Sequence, residues 1–409
     1  MADTLTGDPH PDAPPVPAFP MARAAGCPFD PPPALRAQQD SGRLVRVRLW
    51  DGSTPWLVTR HADQRALLLD PRVSADFNHP GYPLPSPRLD SDATTFILMD
   101  DPEHSRLRRM VTGPFALRRV ETLRPGVQRI VDDLIDEMLA GPTPVDLMKA
   151  FALPVPSLVI CALLGVPYAD HDFFQENSRT LIRQSGPPGE REAAFARLVG
   201  YLEGLLGEKE AHPGEDLLSE LAGRVVAGEL TRTEAAQTGV LLLVAGHETT
   251  ANMIALGTAV LLDHPEQLAL LRDTDDPELI AAAVEELLRY LTIAHHGRRR
   301  VVLEDIEFGG QLIRAGEGLV LPNELGNRDP AVFPDPDRLD LAGGNRRHVA
   351  FGFGVHQCLG QPLARMELQV VYGTLYRRIP NLRLATARDD LSFKDDGAVY
   401  GVHELTVTW

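Results

Sequence analysis

The sequence predicts a single, mainly helical domain with a small β region. Three observations carry that prediction. Helical periodicity dominates from Glu103 to Leu291, short strand-like segments bounded by turns lie before it and after Arg300, and no repeat of solenoid length runs through the 409 residues. Hydrophobic residues make up 44% of the chain and charged residues 24%, which is enough apolar material for a large buried core.

The elements follow in chain order. Residues 1–33 are rich in Pro, Ala and Asp, a composition that favours extended chain, so a loose leader is expected ahead of one domain spanning 34–409. Val45, Val47 and Leu49 alternate with Arg46 and Arg48, Asp51-Gly52-Ser53 supplies a turn, and Trp56 to Thr59 returns as the second arm of a β-hairpin. Asp76 to Asp92 carries Pro, Gly, Asn, Ser and Tyr without period and reads as a long irregular loop, a candidate lid. Helices fill the middle, with breaks at Gly141-Pro142, Gly165-Val166-Pro167, Gly186-Pro187-Pro188-Gly189 and Pro213-Gly214. Strands return in Val301–Ile313 and Gly318–Pro322 as a second small sheet, followed by a Pro- and Asp-rich coil to Asn345. A last helix is expected from Cys358 to Arg378, with Leu359, Leu363, Met366, Val370 and Leu375 as one buried stripe and Pro362 in its first turn.

The formal charge of -17 argues against nucleic acid or an anionic membrane as the main partner. Cys27, Cys161 and Cys358 are odd in number and lack metal-ligand spacing, so neither a disulfide framework nor a structural zinc site is indicated, and a reducing cytoplasm fits. The first twenty residues lack the basic start and apolar run of an export signal. The most apolar stretch, Gly239–Leu262, is interrupted by His247, Glu248, Thr249, Thr250 and Asn252, short of the unbroken run of roughly 18 apolar residues that a membrane span requires. A monomer is expected.

Three motifs carry chemistry. In the run from Phe351 to Gly360, three glycines let the backbone approach a flat, bulky group, and the helix that follows turns its positive dipole toward the Cys358 sulfur, which favours a thiolate. A lone cysteine is more often a buried hydrophobe, the reading that suits Cys161 in its apolar run, and the glycines weigh against it for Cys358. In Ala245-Gly246-His247-Glu248-Thr249-Thr250, a carboxylate sits at the centre of an apolar helix, where it is expensive to bury and usually kept for a purpose. The plain alternative is a core helix with a solvated notch. A Thr hydroxyl there can bond the carbonyl four residues back and bend the helix, and an acid beside an alcohol suits proton delivery to a bound ligand. Glu286 and Arg289, in Glu285-Glu286-Leu287-Leu288-Arg289, share a helix face, an arrangement that by itself most often marks a solvated ion pair.

In this order along the chain, the three motifs resemble the oxygen-binding helix, the Glu-x-x-Arg helix and the cysteine loop of the cytochrome P450 family, over almost the whole chain after the leader. The resemblance is nearest to soluble actinobacterial class I members. It implies a triangular, mainly helical prism holding haem b, with Cys358 as the proximal iron ligand, whose electron donation favours oxygen–oxygen cleavage. Thr249 would hydrogen-bond the reacting ligand and Glu248 would pass protons inward. Ala245 and Gly360 would lie against the haem, Phe351 beside the thiolate, and His104, Arg108, Arg300 and His356 would donate to the haem propionates. Without the resemblance, His104 and Arg108 would be a solvated helix face and Arg298-Arg299-Arg300 an exposed charge run. Glu286 and Arg289 would form a structural clamp, completed by Arg338. Asp101 stands where the family often has a second proline, which bears on how the following helix starts. His295-His296 reads as a metal site, a substrate contact or surface, with surface favoured.

The family's pocket walls would fall at Val244, Ile293, Ala294, Val399 and Tyr400, and in the segments Asp76–Phe96 and Ile160–Phe195. No Gly-rich dinucleotide fingerprint and no iron–sulfur cysteine set is visible, so electrons from NAD(P)H would arrive through ferredoxin reductase and ferredoxin. Arg106, Arg109, Arg118 and Arg119 would steer an acidic ferredoxin. The implied reaction is hydroxylation or epoxidation by O2 of a medium-to-large apolar substrate, such as a macrolide or other polyketide, a terpenoid or a steroid-like compound. The alternatives are haem-thiolate reduction of nitric oxide and a non-catalytic haem protein.

Overall fold

The alternation around Val45 builds the expected hairpin. Leu44–Arg46 pairs antiparallel with Trp56–Val58, Val45 opposite Leu57, and the Asp51 carboxylate accepts the Ser53 N–H at 3.0 Å and its hydroxyl at 2.6 Å to close the turn. In the computed structural model, which describes residues 15–87, 95–294 and 296–409, the hairpin joins a larger sheet. Trp56 and Leu57 pair in parallel with Leu319 and Val320, and Gly318–Leu321, Arg298–Val302 and Val73–Ser74 continue one five-stranded sheet. The second small sheet expected after Arg300 is therefore largely part of the first, because Gly318–Leu321 is buried at every position and needs a partner on each edge. The hairpin Ile306–Phe308 with Gln311–Ile313 stands apart. A three-stranded sheet of Val145–Asp146, Thr406–Thr408 and Arg383–Leu384 uses segments of two or three residues, too short for a period to show in sequence.

The helical middle divides where glycine and proline divide it, with helices ending at Ala140, Leu164, Ile182 and Ala211. Gly165 ends its helix in the left-handed conformation (φ 79°), and a Cβ there would meet the Asp216 carboxylate at 2.2 Å. The axis of the fold is the 31-residue helix Arg232–Leu262. It starts at a capping box: the Glu234 N–H donates to Thr231 Oγ1 at 3.1 Å and the Thr231 N–H donates to Glu234 Oε2 at 2.7 Å. Among the described residues it is the one helix long and apolar enough to cross a membrane, and it is surrounded by Pro154–Leu164, Glu190–Ala211, Leu217–Val226 and Gln361–Arg378. A helix enclosed in this way over most of its length is apolar on nearly all sides because little of it faces solvent.

Two boundaries differ from expectation. Residues 15–33 are packed rather than loose: Phe19 and Phe29 are buried, the Phe19 N–H donates to the Arg48 carbonyl and the Arg48 N–H to the Pro17 carbonyl, both at 2.8 Å. Proline cannot donate but still accepts, so a Pro-rich segment can edge a strand. Residues 1–14 of the leader lie outside the described residues. The last helix begins at Gln361, not Cys358, because the Cys358 N–H is taken by the Phe351 carbonyl at 2.9 Å and the loop is held out of the helix. Leu363, Met366, Val370 and Leu375 form the buried stripe, whereas Leu359 precedes the helix and is half-buried. Asp76–Pro87 is irregular as expected, and residues 88–94 of that loop are outside the described residues.

Candidate active site

On the central helix, Ala245 is exposed and Thr249 half-exposed in a region otherwise buried, and their spacing of one turn puts them on one face. The Thr249 hydroxyl donates to the Ala245 carbonyl at 2.8 Å, the back-bond the sequence suggested, while the helix runs unbroken to Leu262. His247 and Glu248 are buried at 0% and 3% exposure. Asn252 donates to the Glu248 carbonyl at 2.7 Å and reaches Glu248 Oε2 at 3.5 Å, and Lys394 donates to Asn252 Oδ1 at 3.2 Å. His247 Nε2 lies 3.9 Å from the same carboxylate. Burial pulls the Lys394 ammonium below its ordinary value, opposed by Glu248, and burial likewise lowers His247. Sequence reasoning counted Asn252 only as an interruption of the apolar run and missed Lys394; the one available signal was the i, i+4 spacing of Glu248 and Asn252.

The cysteine loop wraps around its own glycines. Gly352 (φ 73°) and Gly354 (φ 76°) are left-handed, and a Cβ would strike Arg298 Nε at 2.4 Å and the Leu68 carbonyl at 2.6 Å. Those two glycines serve the path of the chain. Gly360 alone leaves room, with nothing within 4 Å of where its Cβ would be. Cys358 is enclosed by protein at depth and yet has an exposed side chain, the combination of a group that faces an internal cleft. Burial pushes its thiol up, opposed by Arg298, the Gly360 N–H, Arg108 and Arg365. A metal that binds a thiol sulfur removes its proton outright. Cys161 is buried and its thiol is pushed up to about 12, as befits a core residue.

Beside the cysteine loop the structure gathers donors. The rings of His104 and His356 stand 4.1 Å apart, and Arg108 donates to the Gln357 carbonyl at 2.6 Å. Arg298 and Arg300 lie two apart on one face of their strand, while Arg299 faces the other way and donates to the Pro83 carbonyl at 2.8 Å. Burial, with Arg300, His104 and Arg108, pushes His356 down to about 3, and burial with Arg300 lowers Arg298 to about 10. Both nitrogens of His104, Nδ1 of His356 and Nε of Arg298 are buried and make no hydrogen bond among the described residues. The Asp101 carboxylate lies at the rim, 3.4 Å from His104 Nδ1. Buried donors that repel one another suit a group carrying more than one negative charge. Haem, with two propionates and an iron for Cys358, fits this donor set. Arg298 is an addition to the residues singled out from sequence, and strand alternation from Arg300 was the signal that could have found it.

Glu286 and Arg289 are buried, not solvated. Arg289 holds both Glu286 oxygens at 2.8 Å and donates to the carbonyls of Pro336 (2.7 Å), Arg338 (3.0 Å) and Asn327 (3.1 Å), while Glu286 Oε1 accepts the Asp340 N–H at 2.9 Å. Arg338 thus enters the clamp through its carbonyl. The neighbouring Glu285, which sequence reasoning left unassigned, accepts from Arg365 Nε (2.6 Å) and Nη2 (3.1 Å) and from His348 Nε2 (2.8 Å).

Of the proposed pocket residues, Val244 and Ile293 belong to the main apolar cluster, and Ala294 and Val399 are half-buried. Tyr400 is a correction: its ring lies between Arg23 (4.2 Å) and Phe393 (5.6 Å) and its hydroxyl donates to Pro28, so it supports the wall rather than lining it. His296 is another, since it is buried with Nδ1 2.9 Å from Gln184 Nε2 instead of lying on the surface; His295 is outside the described residues. Arg109, Arg118 and Arg119 are exposed, whereas Arg106 is paired with Glu103 and Glu234.

The family model described as Cytochrome P450 matches residues 209–380. Cytochrome P450 GfsF of Streptomyces halstedii is 56% identical over all of both chains, and its crystal structure superposes with a TM-score of 0.89, covering 96% of this chain and 100% of that one. Pentalenic acid synthase of Streptomyces avermitilis is 50% identical over 96% of this chain and 97% of its own. The crystal structure of mycinamicin VIII C21 methyl hydroxylase from Micromonospora griseorubida, bound to mycinamicin VIII, superposes with a TM-score of 0.91 at 42% identity, covering 96% of this chain and 100% of that one. At this identity over the full length, and with the fold shared, the chain belongs to the cytochrome P450 family and is a monooxygenase, an oxidoreductase of the kind that serves secondary metabolism.

Proposed function

We propose that this P450 binds haem b through Cys358 and hydroxylates or epoxidises a medium-to-large apolar secondary metabolite of the polyketide, macrolide or terpenoid class. The observation that carries the reading is the exposed Ala245–Thr249 face in the middle of a buried helix, together with a deep but exposed Cys358. Relatives named for the synthesis of pentalenic acid and for hydroxylation of the C21 methyl of mycinamicin VIII support the substrate class. Haem, when bound, supplies the site at which O2 is reduced and one of its oxygen atoms is transferred to substrate.

The protein's own groups do the rest. His104, Arg108, Arg298, Arg300 and His356 hold the propionates by charge-assisted hydrogen bonds. Thr249 spends its proton on the Ala245 carbonyl, which leaves its oxygen lone pairs to accept and orient a proton donor in the cleft. Glu248, held by Asn252 and faced by Lys394, is the carboxyl that relays protons from the buried side of the helix. Val244, Ile293, Ala294 and Val399 keep water from an apolar substrate, which strengthens each polar contact inside. Electrons come from NAD(P)H through ferredoxin reductase and ferredoxin, with Arg109, Arg118 and Arg119 as the surface that attracts the acidic carrier. The protein works as a cytoplasmic monomer.

The deciding experiment is the absorption spectrum of the reduced protein under carbon monoxide. A strongly red-shifted Soret band that disappears in Cys358→Ala is expected. A histidine-type band in the unmodified protein overturns the reading.

A further inference from the structure

Glu285 is a fully buried carboxylate at 1% exposure, one residue from the Glu286–Arg289 clamp but outside it. It is bound by three donors from two elements: Nε and Nη2 of Arg365 on the last helix, and Nε2 of His348 in the segment leading to the cysteine loop. His348 Nδ1 accepts the Ala350 N–H at 3.3 Å, so Nε2 carries the proton that goes to Glu285. Burial alone would raise the Glu285 carboxyl, and the bonds from His348 and Arg365 hold it down at about 2. Arg365 is fixed further by Gln361 Oε1 at 2.8 Å.

So fixed, the Arg365 guanidinium lies 4.5 Å from the centre of the Phe351 ring. Phe351 is the residue whose carbonyl accepts the Cys358 N–H. A buried ion pair is a weak way to stabilise a fold, since apolar side chains of similar size hold two helices together as well or better. Fixing a planar cation over one aromatic ring is something apolar side chains cannot do. The same cation is among the few groups that oppose the burial of the Cys358 sulfur.

We propose that Arg365, oriented by Glu285 and His348, is a positioning residue that holds Phe351 against the cysteine loop and so sets how much charge the Cys358 sulfur gives to the iron. The proposal rests on the reading of Cys358 as the iron ligand. Removing the cation leaves the sulfur more negative, which favours the oxidised iron.

The test is the ferric/ferrous equilibrium of the haem-loaded protein. Arg365→Met is expected to favour the ferric state about tenfold, equivalent to about 59 mV for one electron. Arg365→Lys, which keeps the charge but not the fork, is expected to shift it in the same direction and by less, and stands in if the Met variant does not load haem. In a Phe351→Leu background the Arg365→Met shift should be smaller, with only the direct effect of the charge on the sulfur remaining. Charge alone would make Glu285→Gln shift the equilibrium the opposite way; loss of orientation makes it follow Arg365→Met. An equilibrium unchanged within twofold, equal shifts in both backgrounds, or an opposite shift in Glu285→Gln each overturn the positioning role. If the unmodified protein lacks a thiolate-type carbon monoxide band, it is the Cys358 reading that fails.

Discussion

The Tyr400 hydroxyl donates to the Pro28 carbonyl at 3.0 Å, so the end of the chain is tied to its N-terminal segment. Arg23 strengthens the tie by stacking on Tyr400 while pairing with the buried Glu324 at 3.2 Å. Tyr400→Phe removes one hydrogen bond and should cost about 1 kcal/mol. Truncation to begin at Pro33 exposes the ground on which Phe19 and Phe29 are buried and should cost several times more, on the order of 3–5 kcal/mol for each large aromatic lost. Denaturant unfolding of the two variants side by side measures both; a truncation no worse than Tyr400→Phe would show that the segment adds nothing to the core.

Strand alternation makes a sharp distinction among three adjacent arginines. Arg298→Ala and Arg300→Ala should each speed haem loss to an apo-globin acceptor by about ten- to a hundredfold, the worth of one charge-assisted hydrogen bond. Arg299→Ala, which faces the Pro83 carbonyl, should lower thermal stability with little effect on haem loss. Equal haem loss from all three would contradict the assignment of faces.

Thr249→Ala should divert electrons from product to peroxide, cutting product formed per NADPH by at least about tenfold. Glu248→Gln should slow turnover by about a hundredfold and enlarge the solvent deuterium isotope effect, as removal of a proton carrier does. Product yield and isotope effect that stay at their unmodified values would exclude this pair from proton delivery.

Burial holds His247 below its ordinary value of 6.5, with Glu248 opposing and Arg179 and Lys394 reinforcing. The unfolded chain therefore takes up a proton that the folded one refuses as pH falls below 6.5, and stability present above that value is lost toward acid. The expected contribution is at most about 1.4 kcal/mol per pH unit. Urea unfolding at pH 7.5, 6.0 and 5.0 should show a smaller acid-side loss in His247→Gln than in the unmodified protein; identical slopes would remove His247 from the account.

Much of this was legible in the sequence because chemistry with strict geometric demands writes itself into contiguous motifs. The cysteine loop, the acid and alcohol on the central helix and the Glu286–Arg289 pair each lie within one element, where spacing is geometry. What escaped was whatever depends on partners far apart in the chain. Glu285 looked like Glu286 until the last helix brought Arg365 to it, and Lys394 sits in a loop with no period at all. The orientation of Tyr400 is decided by Arg23 and Pro28, which composition had marked as loose. The two sheets inferred from separate strand runs became one for the same reason: pairing between distant strands has no local signature.

That shared sheet also has a consequence for biosynthesis. The strand carrying Arg298 and Arg300 is flanked by Gly318–Leu321, which in turn rests on Trp56–Val58. Contacts between such distant segments form late, after the cost of closing the intervening loop has been met. A nascent chain still on the ribosome can complete its first helices, but the strand that carries Arg298 and Arg300 has no central partner until residue 321 has emerged, so on the proposed reading, in which Cys358 also takes part, cofactor capture follows translation of most of the chain.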